Sequence, residues 1–483
     1  MTSIRQTKII ATLGPACYRK TILKKMFRSG VDVIRLNASH FSDPEKIKEA
    51  IVYVREQSVK FGKPVGLFLD LQGPKIRVGE FENEGVVLQD GQQFQLVGDI
   101  KCLGTSSRVG VSCPEIVQDL RKGDTVFIDD GKVRLEVIKK QKLIATCQVV
   151  RGGRISNNKG INLPVTKTSL SVLTTKDKAN LKVAVEMGVD YVALSFVSDE
   201  KDVKKLRVLM NRLGGKDIGI IAKIERRSAV DNIEAIVDVS DIIMVARGDL
   251  GVEIGIEKVP EVQKMIIRLG KRRVKPVIVA TQMLESMVTT RMATRAEVSD
   301  VANAIYDGCD VVMLSGETAV GIDPVNVIDT MVDICVATDF HRSELKKVRY
   351  SQVRRIFDVK SMATSFCKAA DQIADENDAT VLLAFTSSGN TALISSKLNP
   401  SIPIIAPTDS LSVLHKMAFY RGVIPQLMVE PFVKIQSWSK MIELAIQKSF
   451  KEKLIKKGDR VLVTAGIPIG QSGGTNSIRM IDV

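Results

Sequence analysis

The chain has 483 residues, 45% of them apolar and 26% charged, and no apolar run nears the ~18 residues that cross a bilayer. That composition excludes a mainly disordered, collagen-like, disulfide-scaffold or membrane-spanning chain, and at about 150 residues per domain the length suggests about three domains. Lys and Arg outnumber Asp and Glu by 70 to 55, a net charge of +15 that suits anionic partners, while an aromatic content of 5% disfavours a base-stacking surface. The start, MTSIRQTKII, has no signal-peptide pattern. Cys17, Cys102, Cys113, Cys147, Cys309, Cys335 and Cys367 are scattered without a C-x-x-C, as expected of reduced thiols in a cytoplasmic protein. The densest basic stretches, 268–275 and 341–355, each read as a solvated helix face or linker, and charge alone does not decide between anionic partners; neither nucleic acid nor membrane is the expected one.

Taken along the chain, short Val- and Ile-rich runs end abruptly in polar residues and lead into helical patterns. KIIATLG (8–14), VDVIRLN (31–37) and PVGLFLD (64–70) come first. Residues 73–169 then change texture: glycine recurs, and Asp90-Gly91 and Asp130-Gly131 sit between alternating segments such as TVFIDD and KVRLEVI. These are hairpin signals, and they predict a small β-barrel domain inserted in a loop, able to act as a lid. Helical periodicity resumes at TTKDKANLKVAVEMG (174–188), and the series continues with DYVALSF (190–196), IGIIAKIE (218–225), DIIMVARGD (241–249), PVIVATQ (276–282) and DVVMLSGE (310–317). Near-continuous apolar strands alternating with helices, eight times over, predict an α/β fold, a (β/α)8 TIM barrel. After a basic linker (339–355), ATVLLAF (379–385), SIPIIAP (401–407), GVIPQLM (422–428), RVLVTAG (460–466) and SIRMIDV (477–483) read as a separate C-terminal α/β domain with a parallel sheet. The expected division is barrel at 1–72 and 170–340, inserted β domain at 73–169, and C-terminal domain at 341–483.

In such a barrel the site lies where the strands' C-terminal ends meet the loops. Thr12, Arg35, Asn37, Asp70, Ser195, Lys223, Glu225, Arg247, Asp249, Thr281, Ser315 and Glu317 all fall there. Approach to water explains one polar residue per strand, but not two carboxylates, a lysine and two arginines at one rim. Lys223 and Glu225, two apart on a strand, point the same way, and Asp249 ends the next strand. Their oxygens suit Mg²⁺ or Mn²⁺ with positions left open. No His or Cys cluster suits zinc; of three histidines only His40 falls beside the rim, as a possible phosphate neighbour. In Ala246-Arg247-Gly248-Asp249-Leu250-Gly251 a short helix start offers amide groups to a carboxylate. With the fixed charges of Arg35 and Lys223, the inventory fits phosphoryl transfer. Neither a G-x-x-x-x-G-K-[ST] loop nor an H-R-D with D-F-G is present.

The strings ATLGPA (11–16), RLNASH (35–40), DLQGPKIR (70–77), NNKGINLP (157–164), AKIE (222–225), MVARGDLGVEI (244–254), TQMLESM (281–287), TRAEVSDVANAIYDG (294–308) and MLSGETA (313–319) resemble the pyruvate kinase family over nearly the whole chain. The resemblance implies phosphoryl transfer from phosphoenolpyruvate to ADP, giving ATP and pyruvate. It implies that Glu225 and Asp249 hold the divalent metal and that Lys223 and Arg35 stabilise the moving phosphoryl group. Gly248, Asp249 and Thr281 would bind the substrate carboxylate, with Thr281 also assisting enolate protonation through water. Thr12, Pro15, His40 and Lys159 match nucleotide positions, and Arg77, Ser195, Arg247, Ser315 and Glu317 match supporting ones. Family membership also implies a homotetramer.

The sequence departs from the family in ways that matter. Asn37, Ser39, Asp70 and the Leu71 carbonyl keep the monovalent-cation region, but Lys75 stands where K⁺-requiring members have Glu. Its ammonium would replace the ion, so K⁺ is not expected to be required. Ala38, Phe41, Ala293 and Val320 are further departures near the nucleotide side and the helix start. Thr386, Ser387, Ser388, Gly389, Asn390 and Thr391 match the family's effector loop, with Ser387 where fructose-bisphosphate responders carry Lys. A sugar monophosphate or AMP is therefore the expected activator, with IPIGQSGGTN (467–476) closing over it. Two rivals explain less. A lyase barrel would share the carboxylates but not need the inserted domain or Lys159, and a nucleic-acid binder would explain the charge but not the rim.

Overall fold

The computed structural model describes residues 5–164, 166, 169–348, 357–435, 437–467 and 474–483. The expected basic linker from residue 349 to its end, and residues 468–473 of the glycine-rich loop, lie outside the described residues.

All eight apolar runs form strands of one closed parallel barrel: β1 (Lys8–Thr12), β2 (Val33–Asn37), β3 (Gly66–Asp70), β4 (Tyr191–Leu194), β5 (Gly219–Ile224), β6 (Ile242–Ala246), β7 (Val277–Ala280) and β8 (Val311–Leu314). Each pairs with its neighbours in the chain, and β1 closes on β8 in the register Lys8↔Val311. The continuous apolar character has a direct cause. Ile242 and Met244 of β6 pack with Ile221 and Ile278 inside the barrel, while Ile243 and Val245 pack outward under the helices. The helices between strands carry their own start signals: Thr174 and Asp177, and Thr294 and Glu297, form reciprocal capping boxes.

The inserted segment is an open six-stranded sheet with its own apolar core, plus a two-stranded ribbon, rather than a closed β-barrel. Asp130-Gly131 does join an antiparallel pair, Thr125–Ile128 and Val133–Gln141, through left-handed residues including Gly131 at φ +82°. Asp90-Gly91 does not make a hairpin. Gly85–Leu88 pairs with Gly153–Ser156 in the ribbon, Gln93–Val97 belongs to the large sheet, and Asp90 instead accepts the Gly152 N–H at 2.6 Å where the chain crosses between them.

The C-terminal domain has five strands, β9 (Val381–Ala384), β10 (Ile404–Thr408), β11 (Val423–Leu427), β12 (Arg460–Gly466) and β13 (Thr475–Asp482), in the order β11-β10-β9-β12-β13. Its sheet is mixed rather than parallel, because β13 runs antiparallel to β12. A helix, Pro324–Val348, leads out of the barrel, and residue 340 lies inside it. The domain plugs the barrel's base: the Phe419 ring stands 4.6 Å from Tyr191 and 6.1 Å from Phe68, so the barrel interior and this domain share one core. Lys397 pairs with Asp310 at 2.7 Å, both side chains 2% exposed, and Asp310 also accepts the Val277 N–H.

Candidate active site

The opposite end of the barrel gathers charge. Register sets it: Thr12 lies beside Arg35, and Asn37 beside Asp70. Asp70 is the hub. One oxygen accepts from Arg35 at 2.8 Å and the other lies 3.2 Å from the Lys223 ammonium. Lys223 reaches Glu225 at 2.9 Å and donates to the Ser195 hydroxyl at 2.8 Å, which in turn donates to the Leu71 carbonyl at 2.7 Å. Arg35 also meets the Thr12 hydroxyl at 3.2 Å. Burial opposes the Lys223 ammonium, yet Asp70 and Glu225 hold it charged above the ordinary lysine range. Burial likewise opposes the Asp70 carboxylate, and Lys223 and Arg35 keep it below its ordinary range.

Glu225 uses one oxygen for Lys223 and accepts the Phe196 N–H with the other at 2.7 Å. Asp249 follows β6 in a helix, α1 (Arg247–Ile254), and its carboxylate makes no hydrogen bond or ion pair among the described residues. Burial, then the charge of Glu225, pushes Asp249 up to about 6, against the pull of Lys223 and Lys75. Two close acids, one without a cation partner, are a donor pair that fits Mg²⁺ or Mn²⁺, hard ions that keep several positions for water and substrate oxygens. Among the described residues no three His, Cys, Asp or Glu side chains converge as a cage.

Thr281 sits beyond β7 at φ +69°, a strained conformation for a β-branched residue. Its hydroxyl accepts the Gly248 N–H at 2.9 Å and donates to the Ala280 carbonyl at 2.6 Å. The Gly248 amide expected to meet a substrate carboxylate is thus already engaged, while the Asp249 amide, in the first turn of α1, has no intrahelical acceptor. Arg247 does not face the acids. It pairs with Asp300 at 2.7 Å and donates to the Thr281 carbonyl at 2.8 Å, fixing the Thr281 turn from outside. Glu317 is fully buried and accepts the Ser315 and Leu284 N–H groups, while the Ser315 hydroxyl is buried without a partner.

Other expected residues are spread more widely. Asn37 accepts the Ser39 N–H and hydroxyl and meets the His40 ring at 3.2 Å; burial, then Arg35, lowers the His40 pKa. Pro15 is exposed nearby, Ala38 is buried, and Val320 is exposed. Lys75 is not beside Asn37 and Ser39 in any contact; it lines a narrow cavity of about 30 Å³ with Asp130, Phe196, Asp249 and Glu253, where the inserted domain meets the rim. Lys159 pairs with Asp129 at 3.1 Å inside the inserted domain, and Arg77 donates to the Asn158 carbonyl there, so the hydrogen bonds of both lie away from the acids. In the C-terminal loop Thr386 accepts the Gly389 N–H at 2.8 Å, Ser387 is half-buried and Ser388 exposed, and a helix, α3 when Pro324–Val348 is counted as α2, begins at Asn390 and ends at Leu398. Thr391 meets Thr475 of β13 at 2.8 Å. Missed by the sequence reading were Asp70 as counter-ion to Lys223, Asp300 as partner of Arg247, and the Phe196 amide. Phe196 at φ +58°, with Arg226 over its ring, forms a built turn that no residue pattern in the chain announces.

A TIM barrel with an inserted β domain, a fixed lysine between two acids and a free carboxylate beside them define a phosphotransferase that handles small anions. The pyruvate kinase barrel-domain family model matches residues 4–328, and the pyruvate kinase alpha/beta-domain model matches residues 364–481. A pyruvate kinase of Methylorubrum extorquens is 39% identical over 478 residues, covering 99% of this chain and 97% of that protein. One of Thermotoga maritima is 38% identical over 480 residues, covering 99% and 100%. The crystal structure of a pyruvate kinase from Cryptosporidium parvum superposes with a TM-score of 0.90 at 33% identity, covering 99% of this chain and 96% of that one. The chain belongs to the pyruvate kinase family. Phosphoenolpyruvate and ADP are the substrates that membership implies, a divalent metal is the family's cofactor, and no helix among the described residues is long and apolar enough to cross a membrane.

Proposed function

We propose that Lys223 and Arg35 hold the phosphoryl group as its bond to the enolate oxygen breaks and a bond to the terminal phosphate oxygen of ADP forms. Glu225 and Asp249 would hold Mg²⁺ or Mn²⁺, which would supply positive charge to offset the charge that moves during transfer. Thr281 and the Asp249 amide in the first turn of α1 orient the carboxylate, with the Gly248 amide joining them if Thr281 releases it, and a water beside Thr281 delivers the proton to the methylene carbon. Thr12, Pro15, His40 and Lys159 take the nucleotide, with Lys159 leaving Asp129 as the inserted domain settles. Ser195, Arg77, Arg247, Ser315 and Glu317 support the rim. The observation that carries this reading is the Lys223 ammonium held at 2.9 Å from Glu225 and 3.2 Å from Asp70, charged, oriented and next to an acid with no partner. ADP-dependent pyruvate formation, coupled to lactate dehydrogenase, tests it in wild type and Lys223→Met with and without Mg²⁺. Turnover is expected only in wild type with metal; undiminished turnover in the variant sinks the assignment.

Lys75 is read as a K⁺ surrogate, with Asn37, Ser39, Asp70 and the Leu71 carbonyl as the remainder of that region. In its support, Lys75 lies at the rim, where it lines a narrow cavity with Phe196 and Asp249. Activity in K⁺-free tetramethylammonium buffer should be full. A rise of about tenfold on adding K⁺ refutes this, and Lys75→Glu should create the dependence. We further read the enzyme as a cytoplasmic homotetramer, consistent with seven free cysteines, activated by a phosphorylated metabolite through residues 386–391.

A further inference from the structure

Two contacts between the inserted domain and the barrel bear on the turn that holds Glu225. Where the chain enters that domain, Gly73, at φ +67°, lies against Phe196: a Cβ there would come within 2.8 Å of the ring. Farther on, Asn162, paired with Phe127 in the domain's sheet, hydrogen-bonds the Glu253 carboxylate through its side chain. Glu253 is 8% exposed and lies about one helical turn beyond Asp249 in α1. A Cβ at Gly131 of the inserted domain would stand 3.6 Å from the adjacent Val252. Arg226 joins the two contacts. It follows Glu225 directly, its guanidinium carbon stands 5.2 Å from the centre of the Phe196 ring, and it donates to the Ser198 hydroxyl at 3.3 Å. Its charge faces Glu253 and Glu225. Phe196 is held at φ +58°, a conformation an aromatic residue takes when its surroundings impose it, and there its N–H donates to Glu225 at 2.7 Å.

We infer that Arg226 is a positioning residue for the metal site: it clamps the Phe196 turn whose amide aims Glu225, and Glu253 and Asn162 tie that clamp to the inserted domain. The inference rests on the reading of Glu225 and Asp249 as the metal's ligands. Lys223 holds one Glu225 oxygen and the Phe196 amide holds the other, so the amide sets the plane of the carboxylate that would meet the ion. A group that orients a ligating carboxylate in this way governs metal affinity without touching the metal. Charge alone argues the opposite. Arg226 is a cation beside Glu225, and a cation beside a ligand repels a second cation. Removing Arg226 therefore weakens metal binding if it positions Glu225 and tightens it if it is only a neighbouring charge.

Mn²⁺ binding to the full chain without substrates, followed by the electron paramagnetic resonance signal of the free ion, tests this in wild type, Glu225→Gln, Arg226→Gln, Arg226→Lys and Asn162→Ala. Circular dichroism checks folding. Glu225→Gln should abolish tight binding. Arg226→Gln should weaken it by about tenfold. Arg226→Lys keeps a cation over the ring but loses the planar guanidinium, and should weaken it by about threefold. Asn162→Ala should also weaken it by about threefold. At saturating Mg²⁺, kcat in the Arg226 and Asn162 variants should stay within about threefold of wild type, since the effect lies in metal affinity. Binding unchanged or tightened in Arg226→Gln overturns the positioning role and leaves the metal site standing; if that variant does not fold, unchanged binding in Arg226→Lys does the same. A kcat that falls as far as the affinity overturns it too. Full binding in Asn162→Ala beside weakened binding in Arg226→Gln overturns the tie to the inserted domain. Binding unaffected by Glu225→Gln overturns the metal site itself.

Discussion

Asp70 is the residue on which the charge at the rim turns, since it faces Arg35 and Lys223 at once with its side chain 2% exposed. Asp70→Asn leaves two buried cations short of one counter-charge and should cost about 3–5 kcal/mol in urea unfolding. It also removes the larger of the two charges that hold Lys223 protonated, so the alkaline limb of the kcat/KM profile should move to lower pH. A second residue separates chemistry from packing. Thr281→Ala strips the acceptor from the Gly248 amide, and steady-state assays should show kcat lower by about 100-fold, while Thr281→Ser, which keeps the hydroxyl, should stay within about fivefold. Lys223, Glu225 and Asp249 were legible from spacing alone, because a period of two and a strand end fix where a side chain points. Asp70 as counter-ion was not, because a pair across neighbouring strands exists only once register and side-chain reach are known.

Elements were legible where one rule governs them. Eight apolar runs became eight strands, since strands buried on both faces must be apolar throughout, but that same uniformity hides which residues face inward. The Asp90-Gly91 turn shows the limit: its local chemistry permits a hairpin, and pairing with a strand more than 60 residues away overrides it. The plug at the base was equally invisible, one of two adjacent aromatics in the string MAFYRG. Phe419 is fully buried and packs on Tyr191 and Phe68, and a Cβ at Gly66 would come within 2.9 Å of its ring. Phe419→Ala should lower stability by about 3–5 kcal/mol in denaturant titration. The loss should appear chiefly as loosening between barrel and C-terminal domain, read as faster amide exchange at the starts of β3 and β4. Exchange unchanged there would place the energy elsewhere.

At the scale of the whole molecule, three bodies meet at two seams: the lid at the rim, and the C-terminal domain at the base. The basal seam contains a titrating group. His415 faces Arg55 and Asp190 and neighbours Lys416, and its side chain is 15% exposed. Asp190 lies 3.7 Å away but is already satisfied by Arg55 at 2.8 Å and by the Leu67 N–H, so it gives the imidazolium little support. Burial, then Arg55, lowers the His415 pKa from 6.5 to about 4. The neutral ring is therefore the folded form, and between pH 4 and 6.5 the unfolded chain binds the extra proton. The stability this group contributes is full above pH 6.5 and is lost as pH falls toward 4, a swing of about 3 kcal/mol at most. Comparing unfolding of wild type and His415→Gln across that window cancels the titration of every other group. The stability difference between the two proteins should shrink steadily from about pH 7 to about pH 4. A difference that stays constant means His415 is solvated in the native state and the basal seam carries no such proton linkage.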